Sequence, residues 1–395
     1  MSFLIAIFCG YILYGLAASL FASVWTSIAS DLGVKFTLLG ALTMIIYGAS
    51  GLSSGFAFNL RRKFGTSRSI VLSFLCFAIA MILFYNAKNI FFICIGLAFQ
   101  GLGAGIVDTV SNSYIVKAYE GGVAALLHAS WGLGSTIGPM VMSFAILNTS
   151  SYKNGFIWTA VATIVLIIVL LCMKLYWEKV KVNLPKDFVK LHSVSNEEKT
   201  SSINMLDVFS IKNGVIFVIC FILCGAVNSA ASAWVATLAV EQRGVDVTIG
   251  AKAATFYFLG TTITRVILGF VSKKIGDKYI IFFGQVMTFI ALVLMYFKTS
   301  SILFVYIDSA LLGIGVAPLV PFLHHSVKNI FEEKYLGLFV SCCNFTSLIG
   351  SALISYLIAI EIKLLGIQNA QLILIIFIVL GFISYLKVLQ SKNKI

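Results

Sequence analysis

The sequence predicts an all-α membrane protein of twelve transmembrane helices, arranged as two pseudo-symmetric six-helix bundles. Three observations predict it. The chain is 60% apolar and only 11% charged, it holds twelve apolar stretches of membrane-spanning length, and its two halves echo each other at a fixed offset. Ordinary soluble chains are about 45–50% apolar and about 25% charged. A soluble enzyme, a disordered tail, a disulfide-rich secreted module and collagen are therefore excluded. The net charge of +13 bears on which side of a bilayer holds the basic residues, and no nucleic-acid partner is expected.

The apolar stretches are 3–28, 36–60, 69–87, 89–116, 122–148, 153–177, 212–240, 248–272, 279–297, 300–327, 335–360 and 366–389. The long polar interval 178–211, with Pro185, Glu197, Glu198 and several lysines, separates two sets of six. It reads as a cytoplasmic linker, so 1–177 and 212–395 are expected to be the two bundles. Arg62-Lys63-Phe64-Gly65 recurs as Lys273-Lys274-Ile275-Gly276, 211 positions on. Gly101-Leu102-Gly103 recurs as Gly313-Ile314-Gly315, 212 positions on. With the N-terminus inside, 20 of the 28 basic residues fall in cytoplasmic segments and seven outside, while Arg265 lies within a span. Both termini are then cytoplasmic, in a plasma membrane of the bacterial inner-membrane kind. The first ten residues carry no side-chain charge, so the opening reads as a retained span, not a cleaved signal. The eight cysteines lie in apolar stretches without CxxC spacing and read as small hydrophobes. No metal or cofactor is expected.

Six plus six spans, a basic glycine-containing loop after the second and eighth, and a long central loop resemble the major facilitator superfamily over essentially the whole chain. The usual loop pattern, G-x-L-x-D-R-x-G-R, meets Phe58, Leu60, Arg62, Lys63 and Gly65 in one half and Gly269, Val271, Lys273, Lys274 and Gly276 in the other. The acidic position is basic in both copies, which weakens the loop-to-helix charge contact. The resemblance implies a gating role for Arg62, Lys63, Gly65, Lys273, Lys274 and Gly276. The fourth and fifth spans look most like the fucose-permease type of sugar–proton symporters, through Gly101-x-Gly103-x-Gly105-x-x-Asp108-Thr109-x-x-Asn112 and Leu127-His128-x-x-Trp131-x-x-Gly134-x-x-x-Gly138-Pro139. In that type an acid at the place of Asp108 is tied to proton coupling. The chain departs from many relatives in having Asn228, not an acid, six positions before Trp234, and no acid in the first span.

An ionisable side chain at a helix centre costs at least about 2.5–3.5 kcal/mol in a bilayer, so such residues are candidates for function. Asp108 shares one helix face with Gly101, Gly105 and Asn112, and that face is expected to turn to a shared interior where the acid loads and releases a proton. The alternative is a permanently paired structural acid. Arg265, with Thr261 and Tyr257 one and two turns before it, stays charged and needs a carboxylate or an anionic or hydroxylated solute. Asp108 is its first expected partner, and snorkelling to the interface is the alternative. Asp308 is either an external gate or a helix-end charge. These three form the expected proton-coupling set.

His128 and Trp131 share a stripe with Ser135 and Gly138; an imidazole donates and accepts hydrogen bonds and an indole face stacks on a ring. His128 satisfied by a backbone carbonyl is the structural alternative. Asn112 joins them, while Asn228, Trp234, Tyr257 and Asn344 are expected to supply the opposite wall. Buried amides that merely bridge helices remain open as the other reading. Pro139, Pro318 and Pro321 permit bends, and His324-His325 read as interfacial. Without a GxxxxGK[ST] motif, energy is expected from an ion gradient, and a titratable acid and histidine favour protons. The expected function is secondary transport of a small polar solute such as a sugar, by a monomer in a lipid bilayer. Proton-driven efflux of drugs or other amphipathic compounds is the alternative, with a non-transporting membrane sensor as the reading from another class. No HExxH, Ser/His dyad or paired-aspartate signature points to an enzyme.

Overall fold

A computed structural model describes residues 2–118, 121–172, 205–297, 301–332 and 335–392. Twelve helical stretches among them are long and apolar enough to cross a membrane: Ile5–Ser23, Phe36–Ala57, Lys63–Tyr85, Ile90–Asn112, Leu126–Thr149, Lys153–Cys172, Gly214–Arg243, Val247–Ser272, Asp277–Leu294, Ile302–Ile330, Phe345–Leu365 and Ile367–Gln390. They are called the first to twelfth spans below. Each overlaps the apolar stretch from which it was predicted. Most of the expected linker lies outside the described residues, and its end forms a short 3-10 helix, Met205–Ser210.

The breaks between spans follow local chemistry. The second and third spans run as one helix, Leu39–Tyr85, bent at Gly65, where φ is 83° and ψ 166°. The eighth ends at Gly276 with φ 84° and ψ 146°. Glycine adopts positive φ at little cost, so the glycine shared by the two basic loops is what turns the chain. Gly33 and Gly244, at φ 64° and 67°, form a second matched pair, also 211 positions apart, which sequence reading passed over.

The repeat extends to packing. At Gly101 an added Cβ would strike the Ile46 carbonyl of the second span, and at Gly313 it would strike the Tyr257 carbonyl of the eighth. The glycines are 212 positions apart and their partners 211. Gly103 and Gly105 likewise face Ser73 and Ser50. The glycine run of the fourth span is therefore a helix-packing surface, as expected of small residues in lipid, where close backbone approach replaces the hydrophobic drive. In the fifth span Gly134 and Gly138 face the Ile12 and Leu16 carbonyls of the first, while Gly15 faces that of Trp131.

The halves meet along two seams, the second span on the eleventh through Gly40 and Ser355, and the fifth on the eighth through Gly132 and Thr262. After a break at Val24, the short helix Trp25–Asp31 packs on the seventh span at the end opposite the termini. Trp25 Nε1 fixes it by donating to the Phe36 carbonyl at 2.6 Å. Phenylalanines such as Phe144, Phe270 and Phe289 are exposed on the outside, where lipid takes the place of water.

Candidate functional site

Asp108 is half-buried on the fourth span. Its Oδ1 accepts hydrogen bonds from the Tyr11 hydroxyl of the first span at 3.3 Å and from Asn112 Nδ2, one turn along, at 2.9 Å. Gly101 and Gly105, on its own face of the helix, press the fourth span onto the second, and Gly103 meets the third, while the acid at the end of that face meets Tyr11 of the first span.

His128 of the fifth span lies edge-on to Tyr11, with ring centroids 6.4 Å apart. It is exposed, yet the charges of both Asp108 and Arg265 act on its ring. Residues of the first, fourth and eighth spans around this exposed side chain mark a crevice between the halves. One turn on, Trp131 packs against Tyr14 at 6.2 Å and against Phe258 of the eighth span at 6.4 Å. Its Nε1 is buried without a partner. Tyr257 sits beside Phe258 at 5.0 Å and its hydroxyl donates to the Asn228 carbonyl at 3.3 Å. The Tyr47 hydroxyl of the second span lies next to Ser229 and Ser232 of the seventh.

Arg265 does not pair with Asp108. Its Nε donates to the Ala317 carbonyl at 3.3 Å, and no carboxylate among the described residues forms a salt bridge with it. The carbonyl is available for a physical reason: four residues on, Pro321 has no N–H to offer Ala317. The tenth span breaks there into Ile302–Val316 and Leu319–Ile330. The N-terminal half holds the equivalent contact, Ser54 Oγ donating to the Gly105 carbonyl at 3.4 Å, with Ser54 and Arg265 211 positions apart and Gly105 and Ala317 212 apart. Its reach to the fifth span also argues against snorkelling, since Arg265 bears electrostatically on His128.

Asp308 lies elsewhere. Arg243 at the end of the seventh span donates to its Oδ2 at 2.6 Å, and each side chain is only 4% exposed. Arg243 also rests over the Phe304 ring at 5.3 Å. Trp234 is fully buried, with its Nε1 unpartnered, and so does not face open space. The side chains of Asn344, Arg62 and Lys273 lie outside the described residues. Lys63 is exposed over the Phe64 ring and Lys274 is exposed. His325, expected to be merely interfacial, binds Asp277 at 2.8 Å, whereas His324 packs on Phe221 at 4.4 Å. None of the eight cysteines forms a disulfide.

Sequence reasoning missed three tyrosines of the crevice, Tyr11, Tyr14 and Tyr47. Tyr11 and Tyr14 stand three apart, on one face of an otherwise uncharged span, and that spacing was the available signal. It also missed Glu361, a buried acid whose Oε1 accepts from the Ile373 backbone N–H at 2.9 Å at the start of the last helix.

Paired helical halves that hold an acid, a histidine and an arginine at their seam are those of a multi-pass membrane transporter. The chain belongs to the Major Facilitator Superfamily, whose family model matches residues 7–254 and 219–394. It is similar to the glucose/mannose transporter GlcP of Bacillus subtilis (strain 168), 22% identical over 329 residues covering 80% of this chain and 77% of the relative. The sialic acid transporter NanX of Escherichia coli (strain K12) is 24% identical over 349 residues, 83% of this chain and 79% of the relative. Among solved structures, a D-xylose–proton symporter superimposes with a TM-score of 0.77 at 14% identity, covering 98% of this chain and 96% of that one.

Proposed function

We propose that the chain is a proton-coupled secondary transporter that moves a small polar solute, a sugar or sugar derivative, by alternating access. The observation that carries this reading is Asp108: an acid within a membrane span, held by Tyr11 and Asn112, beside His128 in the crevice between the halves. Such a group exchanges its proton with one side of the membrane only while the crevice opens to that side. The activities of the relatives, glucose/mannose and sialic acid transport, support the solute class.

In this reading Asp108 carries the proton, and Asn112, His128, Asn228 and Tyr257 offer hydrogen bonds to the solute. Trp131, braced by Tyr14 and Phe258, offers an aromatic face to a sugar ring. Asp308 holds Arg243 and ties the tenth span to the seventh, outside the coupling site. Trp234 is a packing residue. The glycine bends at Gly65 and Gly276, with their flanking basic residues, are the points about which the loops yield as the halves rock. A polar crevice and outward-facing phenylalanines favour this over efflux of amphipathic compounds. The chain acts as a monomer, since both walls of the crevice come from one polypeptide, and it lies in a bacterial inner membrane with both termini in the cytoplasm.

Purified protein in proteoliposomes tests the reading. An inward proton gradient should accumulate at least one of labelled D-glucose, D-xylose, D-glucuronate and sialic acid, and a protonophore should abolish that accumulation. Flux of every solute in the panel indifferent to the gradient would overturn the coupling.

A further inference from the structure

The Arg265 guanidinium is the one charge in the crevice that the proton-carrying reading leaves without a task. Its Nε is committed to the Ala317 carbonyl. The terminal nitrogens have no hydrogen bond within the described residues and are not sealed away among buried unpartnered atoms. They present a planar fork of N–H donors, whose geometry matches a carboxylate. The equivalent position of the other half is Ser54, which makes the same backbone contact without a charge. Holding the helices together there does not require an arginine.

Asp108 is not available to neutralise it, because its neighbours are Tyr11 and Tyr14 from the first span, Asn112 on its own helix and His128 from the fifth. Arg265 bears electrostatically on His128 and Tyr257, and among the described residues it forms no salt bridge. His128 thus stands between a carboxylate on one wall and an uncompensated guanidinium on the other. A buried charge without a counter-ion is costly, and the cost is relieved when a partner of opposite sign arrives.

Resting on the proton-coupled reading above, the geometry points to a monocarboxylated sugar as the solute, its carboxylate on Arg265 and its ring between Trp131 and the tyrosines, moving with one proton on Asp108. The charges then balance, with the His128 ring counted neutral throughout. The empty site holds a carboxylate and a guanidinium, with no net charge. The loaded site holds a protonated Asp108, the guanidinium and the solute carboxylate, again with none. A site holding the proton alone is positive, and one holding the anion alone is negative. Both half-loaded forms pay the penalty of a buried net charge when the crevice closes. Coupling follows from that difference, and the transported pair carries no net charge across the membrane.

Electrogenicity separates this from symport of a neutral sugar. In proteoliposomes clamped with potassium and valinomycin, an inward proton gradient at zero potential should accumulate D-glucuronate or sialic acid. An interior-negative potential without a proton gradient should drive neither. The same acids, but not D-glucose, should raise the melting temperature of the wild-type protein, a readout that needs no variant. Arg265→Gln should lower acid uptake by about tenfold or more, with Arg265→Lys retaining part of it because the charge remains without the fork. Potential-stimulated, proton-dependent uptake of D-glucose with both acids inert would overturn the anion assignment and leave proton coupling standing. Indifference of all three solutes to the proton gradient would overturn both.

Discussion

The Tyr11 hydroxyl donates to Asp108 Oδ1 across 3.3 Å, joining the first span to the fourth at the acid proposed to carry the proton. Tyr11 also meets His128 edge-on, so one side chain orients both titratable groups of the N-terminal wall. Tyr11→Phe keeps the ring and removes the donor, a hydrogen bond to a charged group being worth about 1.5–3 kcal/mol. The expected outcome is a folded protein whose uptake-versus-pH profile is displaced from wild type. A profile superimposable on wild type would show that the hydroxyl is not part of the proton site.

Asp108→Asn preserves shape and the contacts of Tyr11 and Asn112 while removing the titrating group. Gradient-driven accumulation should fall by at least about tenfold, equivalent to about 1.4 kcal/mol. Solute counterflow, which needs no net proton movement, should persist. Paired counterflow and gradient assays on one preparation make the check, and accumulation at the wild-type rate would remove Asp108 from the mechanism.

The Arg243–Asp308 pair is buried at 4% exposure on both sides. Removing one partner of such a pair leaves an uncompensated charge and costs about 3–5 kcal/mol, whereas replacing both with apolar residues of similar volume is often neutral or stabilising. Asp308→Leu alone should destabilise strongly in thermal unfolding, and Arg243→Met should restore most of the loss in the double variant. Transport by that double variant should remain proton-driven, since the pair lies outside the coupling site.

Backbone contact between the first and fifth spans makes Gly134 intolerant of a side chain. Its added Cβ meets the Ile12 carbonyl, while Gly55 has nothing within 4 Å. Gly134→Ala should cost about 1–3 kcal/mol through overpacking, and Gly55→Ala should be neutral or slightly stabilising, because alanine favours a helix by about 0.8–1 kcal/mol. Unfolding of the two variants in the same detergent compares them directly.

At the start of the eighth span, Asp246 accepts from the Thr248 hydroxyl at 2.6 Å and from its backbone N–H at 2.8 Å. These bonds favour the ionised form and hold its carboxyl below the usual range. A depressed value means that the cap contributes fully above the unfolded value of about 3.9 and fades as pH falls through the folded one. Asp246→Ala should therefore cost about 0.5–2 kcal/mol at neutral pH, and the difference from wild type should shrink as the pH falls below about 4. A constant difference down to pH 3 would show that the charge is not what caps the helix.

Sequence alone determined the twelve spans, their division into six and six, and which residues of the fourth span share a helix face. Length and apolarity fix a membrane helix, and the spacing of Gly101, Gly105, Asp108 and Asn112 fixes which residues share a face. It could not decide who meets whom across helices. Arg265 and Asp108 are opposite charges at similar depth, and one-dimensional reading pairs them. The packed structure instead gives Arg265 the carbonyl that Pro321 leaves free, gives Asp108 to Tyr11 and Asn112, and gives Asp308 to Arg243. Those choices depend on the rotation of each helix about its axis, which is set by where glycines let neighbouring backbones touch, and no property of a single span contains that information.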